Sequence, residues 1–395
     1  MLEVLIKSIL AVFVLMTAAA YLVLLERWIA AWVQDRRGPN RVGVPLTNIR
    51  LLGLGQPLAD GLKFIFKEEY TPGHVDRYLY TLAPLSILVA ALATFAVVPF
   101  GSVLPPIGEG APIELVVAPG IDVGMIYVFA LGSLAVYGVI LGGWASNNKY
   151  SFLGGLRSSA QLIAYEIPLG LGILGVVLLT GSLRLDAIIQ QQAASGQWNV
   201  LVQPLGFLVF FVAALAEATR LPFDLPEAEQ ELVGGYHTEY SGMRLLVYLI
   251  AEFLHMVAAA FLVVILFFGG WHFWGLTGSS NEIGWIEAIL RIGILMAKVL
   301  AAILVMMLIR WSWPRFRFDQ LMALAWKVML PLGLVNLLLA AVLVEYEPRF
   351  VSAVGMGGVV AIMWGLSLAA CVATALLSPL RSDNVPRRDD AFGPM

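Results

Sequence analysis

LLVYLIAEFLHMVAAAFLVVILFF, running from Leu245 to Phe268, holds one carboxylate, Glu252, in an otherwise apolar run. About 20 apolar residues of helix cross the ~30 Å hydrocarbon core of a bilayer. The run therefore reads as a membrane-spanning helix. Eight others read the same way: Leu5–Leu25, Leu79–Phe100, Val123–Trp144, Ser159–Leu179, Val200–Ala216, Ile292–Trp311, Leu324–Val344 and Val354–Leu377. The fifth in chain order, Val200–Ala216, is short, and the last is rich in Gly and Ala. The first is too long for the apolar part of a signal peptide and stays apolar past Ala18–Ala20, so it reads as a retained helix.

Composition agrees. Of the 395 residues 60% are hydrophobic and 13% charged, and the mean hydropathy is +0.85. A soluble fold carries about 25% charged residues, so this chain cannot cover itself with a polar surface. A net charge of −3 argues against nucleic-acid binding. The one cysteine, Cys371, excludes a disulfide framework, and neither it nor the 4 histidines suggest a metal site. The expected fold is all-α: a polytopic membrane bundle of eight core helices plus a ninth. Basic residues mark the cytoplasmic side. Placing the amino terminus outside puts most of the 24 Lys and Arg inside, leaving Lys7, Arg184, Arg291, Lys298 and Arg349.

The polar residues of this inner face are patterned. From Pro57 the chain reads as an amphipathic helix, with Leu58, Leu62, Ile65 and Phe66 on one stripe and Asp60, Lys63 and Lys67 opposite. Such a helix lies in the headgroup plane. It is either a plain anchor beside a basic loop or the floor of an entrance for a lipid-soluble substrate. A later loop runs Glu217-Ala218-Thr219-Arg220-Leu221-Pro222-Phe223-Asp224 and continues through Glu227, Glu229 and Glu231 to Glu239, with Arg220 its one arginine. Asp224-x-x-Glu227 has the form of a capping box, with Gly234-Gly235 closing a short helix behind it. Clustered acids raise one another's pKa by repulsion, which lets protons be held near neutral pH. A solvated acidic loop is the plainer account.

Ionisable residues inside the spans carry more weight. Glu166 and Glu252 each lie about seven residues past the inner ends of their helices, ~10 Å deep at 1.5 Å per residue. Lys298 sits inside the seventh span. A charge at a helix centre costs ~2.5–3.5 kcal/mol on insertion scales, so such residues usually mark a pathway. The alternative is a Glu–Lys pair that fastens helices together. Pro168, two residues after Glu166, frees a backbone carbonyl.

Five long stretches and one short one resemble a known family in its own order: ERW…QDRRGPNRVG (Glu26–Gly43), GQPLADGLKFIFKE (Gly55–Glu68), NNKYSFLGGLRSSAQLIAYE (Asn147–Glu166), EATRLPFDLPEAEQELVGGYHTEYSGM (Glu217–Met243), the short AEF (Ala251–Phe253) and RWSWPRFRFDQLMALAWKVMLPLGLVN (Arg310–Asn336). The family is the quinone-site membrane subunit of proton-translocating NADH:quinone oxidoreductase, respiratory complex I. The resemblance implies a tunnel that admits ubiquinone or menaquinone as substrate, framed by Glu26, Arg27, Arg36, Asp60, Phe223, Arg310 and Arg315. It also implies a proton path through Glu166, Glu217, Asp224, Glu227, Glu229, Glu231, Glu239 and Glu252, with Lys149 nearby. FMN, NADH and the iron–sulfur clusters would sit on partner subunits of the hydrophilic arm, and small membrane-arm subunits would flank the chain in a bacterial-type inner membrane. The chain departs from the family at Trp28, where lysine is usual, and at Thr219 and Gln230.

Three units are expected: a membrane domain over 1–347, an added helix over 348–380 and a polar cytoplasmic tail over 381–395. Glu217, Glu166 and Glu252 are expected to form the relay. Two other functions compete: the homologous membrane subunit of an energy-converting hydrogenase, and an ion-coupled transporter using Glu252 and Lys298. The second expects repeated halves with broken helices, and none is visible in the sequence.

Overall fold

The computed structural model describes residues 2–43, 53–106, 112–224, 232–277 and 284–377. Its helices are α1 (Leu2–Val33), α2 (Gln56–Phe66), α3 (Arg77–Thr94), α4 (Gly124–Ala145), α5 (Lys149–Thr180), α6 (Leu185–Ser195), α7 (Asn199–Val202) and α8 (Pro204–Glu217). They continue with α9 (Gly242–Phe267), α10 (Trp285–Ser312), α11 (Phe318–Ala323) and α12 (Leu330–Leu377). A two-stranded antiparallel ribbon pairs Val103 with Glu114 and Leu104 with Ile113.

Among the described residues 8 helices are long and apolar enough to cross a membrane. The fifth expected span, α8, is shorter, as its sequence foretold. Leu324–Met329 is a π-helical turn that joins α11 to α12. Gly355, at φ 73°, interrupts α12 and divides the eighth span from the ninth. That left-handed conformation suits glycine, which has no Cβ to clash.

Local chemistry sets the helix ends. The Asp76 carboxylate accepts from the amides of Tyr78 (3.1 Å) and Leu79 (3.3 Å) to start α3, and Asn148 accepts from Tyr150 (2.9 Å) to start α5. Side-chain oxygens there satisfy amides that the first turn leaves orphaned. Pro57 opens α2, where a missing N–H costs nothing. The α2 stripe of Leu58, Leu62, Ile65 and Phe66 is exposed along its length, as a helix lying on acyl chains requires.

The bundle is organised around α9. Of its most apolar window 83% is buried, against 17% for the ninth span, so α9 is the axis and the last helix is peripheral. Small residues let the others close in. A Cβ on Gly143 of α4 would stand 2.7 Å from the Ser151 carbonyl oxygen of α5, and one on Gly172 would stand 3.0 Å from Phe210 of α8. Close backbone approach through glycine is the usual means of packing helices in lipid.

Candidate functional site

A cavity of about 710 Å³ opens between α1, α2, α9 and the end of α10. Ala19, Ala20, Ala30 and Ala31 of α1 make the room, and Leu246, Leu249, Ile250 and Phe253 of α9 give it an apolar wall. Its polar edge carries Glu26, Arg27, Arg36, Asp60, Arg220 and Arg310. Arg27 Nη1 donates to Asp60 Oδ2 at 2.7 Å, tying α2 to α1. Trp28 Nε1 donates to the Pro39 carbonyl at 3.1 Å and braces the loop at the rim.

At the deep edge lies a buried chain of charges. Arg310 donates to Glu26. Arg220 Nη1 stands 3.5 Å from the other Glu26 oxygen, while its Nη2 stands 3.8 Å from Glu252 Oε2. Its guanidinium also lies over the Phe253 ring, 4.3 Å from the centroid. A planar fork can serve two carboxylates in a way that a point charge cannot. Glu252 Oε1 accepts from the Tyr236 hydroxyl at 3.1 Å and lies 3.9 Å from His237 Nε2.

Behind Glu252 a second cavity, of about 50 Å³, is lined by Glu166, Glu217, Glu252 and His255 among apolar neighbours. Three helices bring these acids together: α5, the last residue of α8, and α9. Ser133 of α4 donates to Glu166. A Cβ on Gly132 would sit 2.9 Å from Glu217 Oε1, so glycine there gives the carboxylate its space. The volume is enough for about three waters.

Comparison with known proteins fits this geometry. A family model described as NADH dehydrogenase matches residues 6–341. The chain is 45% identical over 332 residues to the first of the numbered H subunits of NADH-quinone oxidoreductase in Geobacter metallireducens, covering 84% of this chain and 93% of that one. It is 43% identical to the H subunit of the same oxidoreductase from Leptospira biflexa, over 86% of this chain and 94% of the relative. The figures for the H subunit from Protochlamydia amoebophila are 44%, 82% and 92%. The chain belongs to the NADH dehydrogenase family. Within it, the chain sits among the H subunits of NADH-quinone oxidoreductase.

For a member of this family the expected residues are placed as follows. Glu26, Arg27, Arg36, Asp60 and Arg310 line the large cavity, and Glu166, Glu217 and Glu252 line the small one. Arg315 and Phe223 stand behind them. Arg315 donates to Asp224 Oδ2 at 3.0 Å, and Phe223 packs between Tyr165 and Phe316. Gln161 Nε2 holds the same loop by donating to the carbonyls of Ala216 (2.9 Å) and Phe223 (2.7 Å). Glu239 sits at the edge, its side chain accepting from Asn148 at 2.6 Å. Lys149 is exposed at the start of α5. Glu227, Glu229 and Glu231 lie outside the described residues, as do most of the expected capping box and the tail beyond Leu377.

Sequence reading passed over Arg220, Tyr236, His237 and His255. The signal for Arg220 was available, since it is the only arginine among the acids of its loop. Lys298 makes no pair with Glu252. Its Nζ donates to the carbonyls of Phe268 (2.7 Å), Gly270 (3.0 Å) and His272 (2.6 Å), closing the far end of α9. Burial, then the charges of Lys298 and Arg291, hold the His272 imidazole below its ordinary range. Hydrogen bonds to a charged group are worth about 1.5–3 kcal/mol each and do not add fully. Lys298→Met should therefore cost about 2–3 kcal/mol and lower the thermal midpoint of the purified complex. Quinone turnover per assembled complex should stay unchanged, which steady-state assays will check.

Proposed function

We propose that the 710 Å³ cavity admits a lipid-soluble quinone, and that Glu252, Glu217 and Glu166 couple its reduction to proton movement. One observation carries this reading: a single buried guanidinium, Arg220, touches both a carboxylate of the large cavity and a carboxylate of the small one. Whatever changes charge at the first is felt at the second.

The chemistry follows from the reaction. A quinone taking two electrons also takes two protons to become a quinol. The electrons arrive from partner subunits of the hydrophilic arm, which carry the FMN, the iron–sulfur clusters and the NADH site. Negative charge growing on the head group draws Arg220 and Arg310 towards it, because fixed cations stabilise developing anions. As Arg220 shifts towards the head group, its hold on Glu252 weakens. A carboxylate released from its cation gains affinity for a proton. Glu252 then takes one, and Glu217 and Glu166 pass the change along the small cavity. Asp224, Glu239 and the acids at 227–231 supply protons from the inner face, with Lys149 at its rim. The chain lies in a bacterial-type inner membrane, amino terminus outside, with α2 at the cytoplasmic surface beside the entrance and the small membrane-arm subunits alongside.

Photo-crosslinking the assembled complex with a quinone carrying a photoreactive group tests the entrance. Label within Glu26–Phe66 and around Phe253 is the expected result. Label confined to the segments following α5 and α9 on the opposite side excludes it.

A further inference from the structure

We propose that His255 is a proton-carrying group of the small cavity, passing protons between Glu252 and Glu217; this rests on the reading of that cavity as a proton path. His255 lies three residues beyond Glu252 on α9. Side chains at that spacing share a helix face, with Cβ atoms about 5–6 Å apart. The imidazole lines the 50 Å³ cavity with Glu166, Glu217 and Glu252. It also lines an adjoining cavity of about 30 Å³, again with Glu217. His255 and Glu217 thus stand together in the wall between the two spaces.

Nothing structural accounts for the residue. Its neighbours along α9 are Ala258, Ala259 and Leu262, and Phe210 of α8 faces the same space. Burying a polar side chain in such surroundings costs free energy unless its polar atoms are used. Among the described residues neither His255 nor Glu217 makes a hydrogen bond or an ion pair. The other ionisable groups facing the cavity are Glu166, Glu252, Tyr236 and Tyr248.

A neutral imidazole carries one N–H donor and one bare acceptor nitrogen. It can take a proton on the bare nitrogen from the Glu252 side and release the other proton towards Glu217. A return between tautomers restores it, and no electron is exchanged. The cavity holds enough space for water to close the remaining distances.

The test compares His255→Phe, which fills the space without nitrogens, and His255→Gln, which keeps polarity but cannot titrate. Both are measured in the reconstituted complex, with Glu217→Gln in parallel. Both His255 variants should lower quinone-coupled proton translocation at least ~5-fold and change the solvent deuterium isotope effect. NADH oxidation by a water-soluble acceptor should stay at the wild-type level, which confirms assembly. Wild-type translocation in His255→Gln would overturn the proposal, because polarity or shape alone would then suffice. If Glu217→Gln is impaired while both His255 variants are normal, the acid path stands and His255 is excluded from it. If Glu217→Gln is also normal, the underlying reading of the cavity fails as well.

Discussion

Arg220→Leu should cut NADH-driven quinone reduction by at least ~100-fold, a loss of about 2.7 kcal/mol of transition-state stabilisation. Among the described residues the guanidinium has three partners: Glu26 at 3.5 Å, Glu252 at 3.8 Å and the Phe253 ring at 4.3 Å. Removing one member of a buried ion pair costs about 3–5 kcal/mol, because the other charge is left uncompensated. Arg310 still neutralises Glu26 in the variant, so the damage falls mainly on Glu252. Lysine should rescue little, since an ammonium offers one compact charge in place of a planar fork. Assays with quinone and with a water-soluble acceptor, run on the same preparation, separate the lost reaction from lost assembly. The double variant Arg220→Leu with Glu252→Gln should recover assembly, because removing both partners of a buried pair leaves no orphaned charge. Wild-type quinone turnover in Arg220→Leu would show that the two cavities do not communicate through this residue.

Glu217→Gln should have a different signature: little change in stability and a loss of at least ~10-fold in coupled turnover. Its carboxylate faces the small cavity beside Gly132. Glutamine has nearly the same shape there, and no ion pair is broken by the exchange. Substitutions that make no cavity and orphan no charge usually stay within about 0.5 kcal/mol. What the variant loses is the ability to bind and release a proton. Thermal unfolding, quinone turnover and protons moved per electron pair, measured together, make the check. A complex that pumps and turns over like wild type would remove Glu217 from the path.

Much of this architecture was written in the order of residues along the chain. Hydropathy is a sum over neighbours, so the eight long apolar helices and the shortness of α8 could be read directly. Pro57 and the stripe from Leu58 to Phe66 were equally local, and α2 begins and ends within a residue or so of that reading. Grouping Glu166, Glu217 and Glu252 needed more: the depth of Glu166 and Glu252 in their spans, the acidic loop that begins at Glu217, and the family resemblance. What stayed hidden was pairing across long separations. Glu26 and Arg310 meet from positions 284 apart, and no periodicity in either helix encodes that. Lys298 misled for a related reason. Its partners are backbone carbonyls at the end of α9, and a carbonyl leaves no mark in a sequence. Even the turn that presents them, with Gly269 at φ 70° and Gly270 at φ 54°, looks like any pair of glycines after a helix. His255 was overlooked because a lone histidine on an apolar helix usually has a merely structural place.

The shared guanidinium has a consequence for running the enzyme backwards. Two sites coupled through one group obey reciprocity: whatever factor one occupant imposes on the other's affinity is returned in full. If an arriving quinone loosens the Arg220–Glu252 contact, a proton loaded onto Glu252 must in turn alter how tightly the substrate is held. A strongly energised membrane, by keeping the acids filled, would then reach back through the same contact, hold the occupant more tightly and slow its release. Control by back-pressure would need no separate regulatory site.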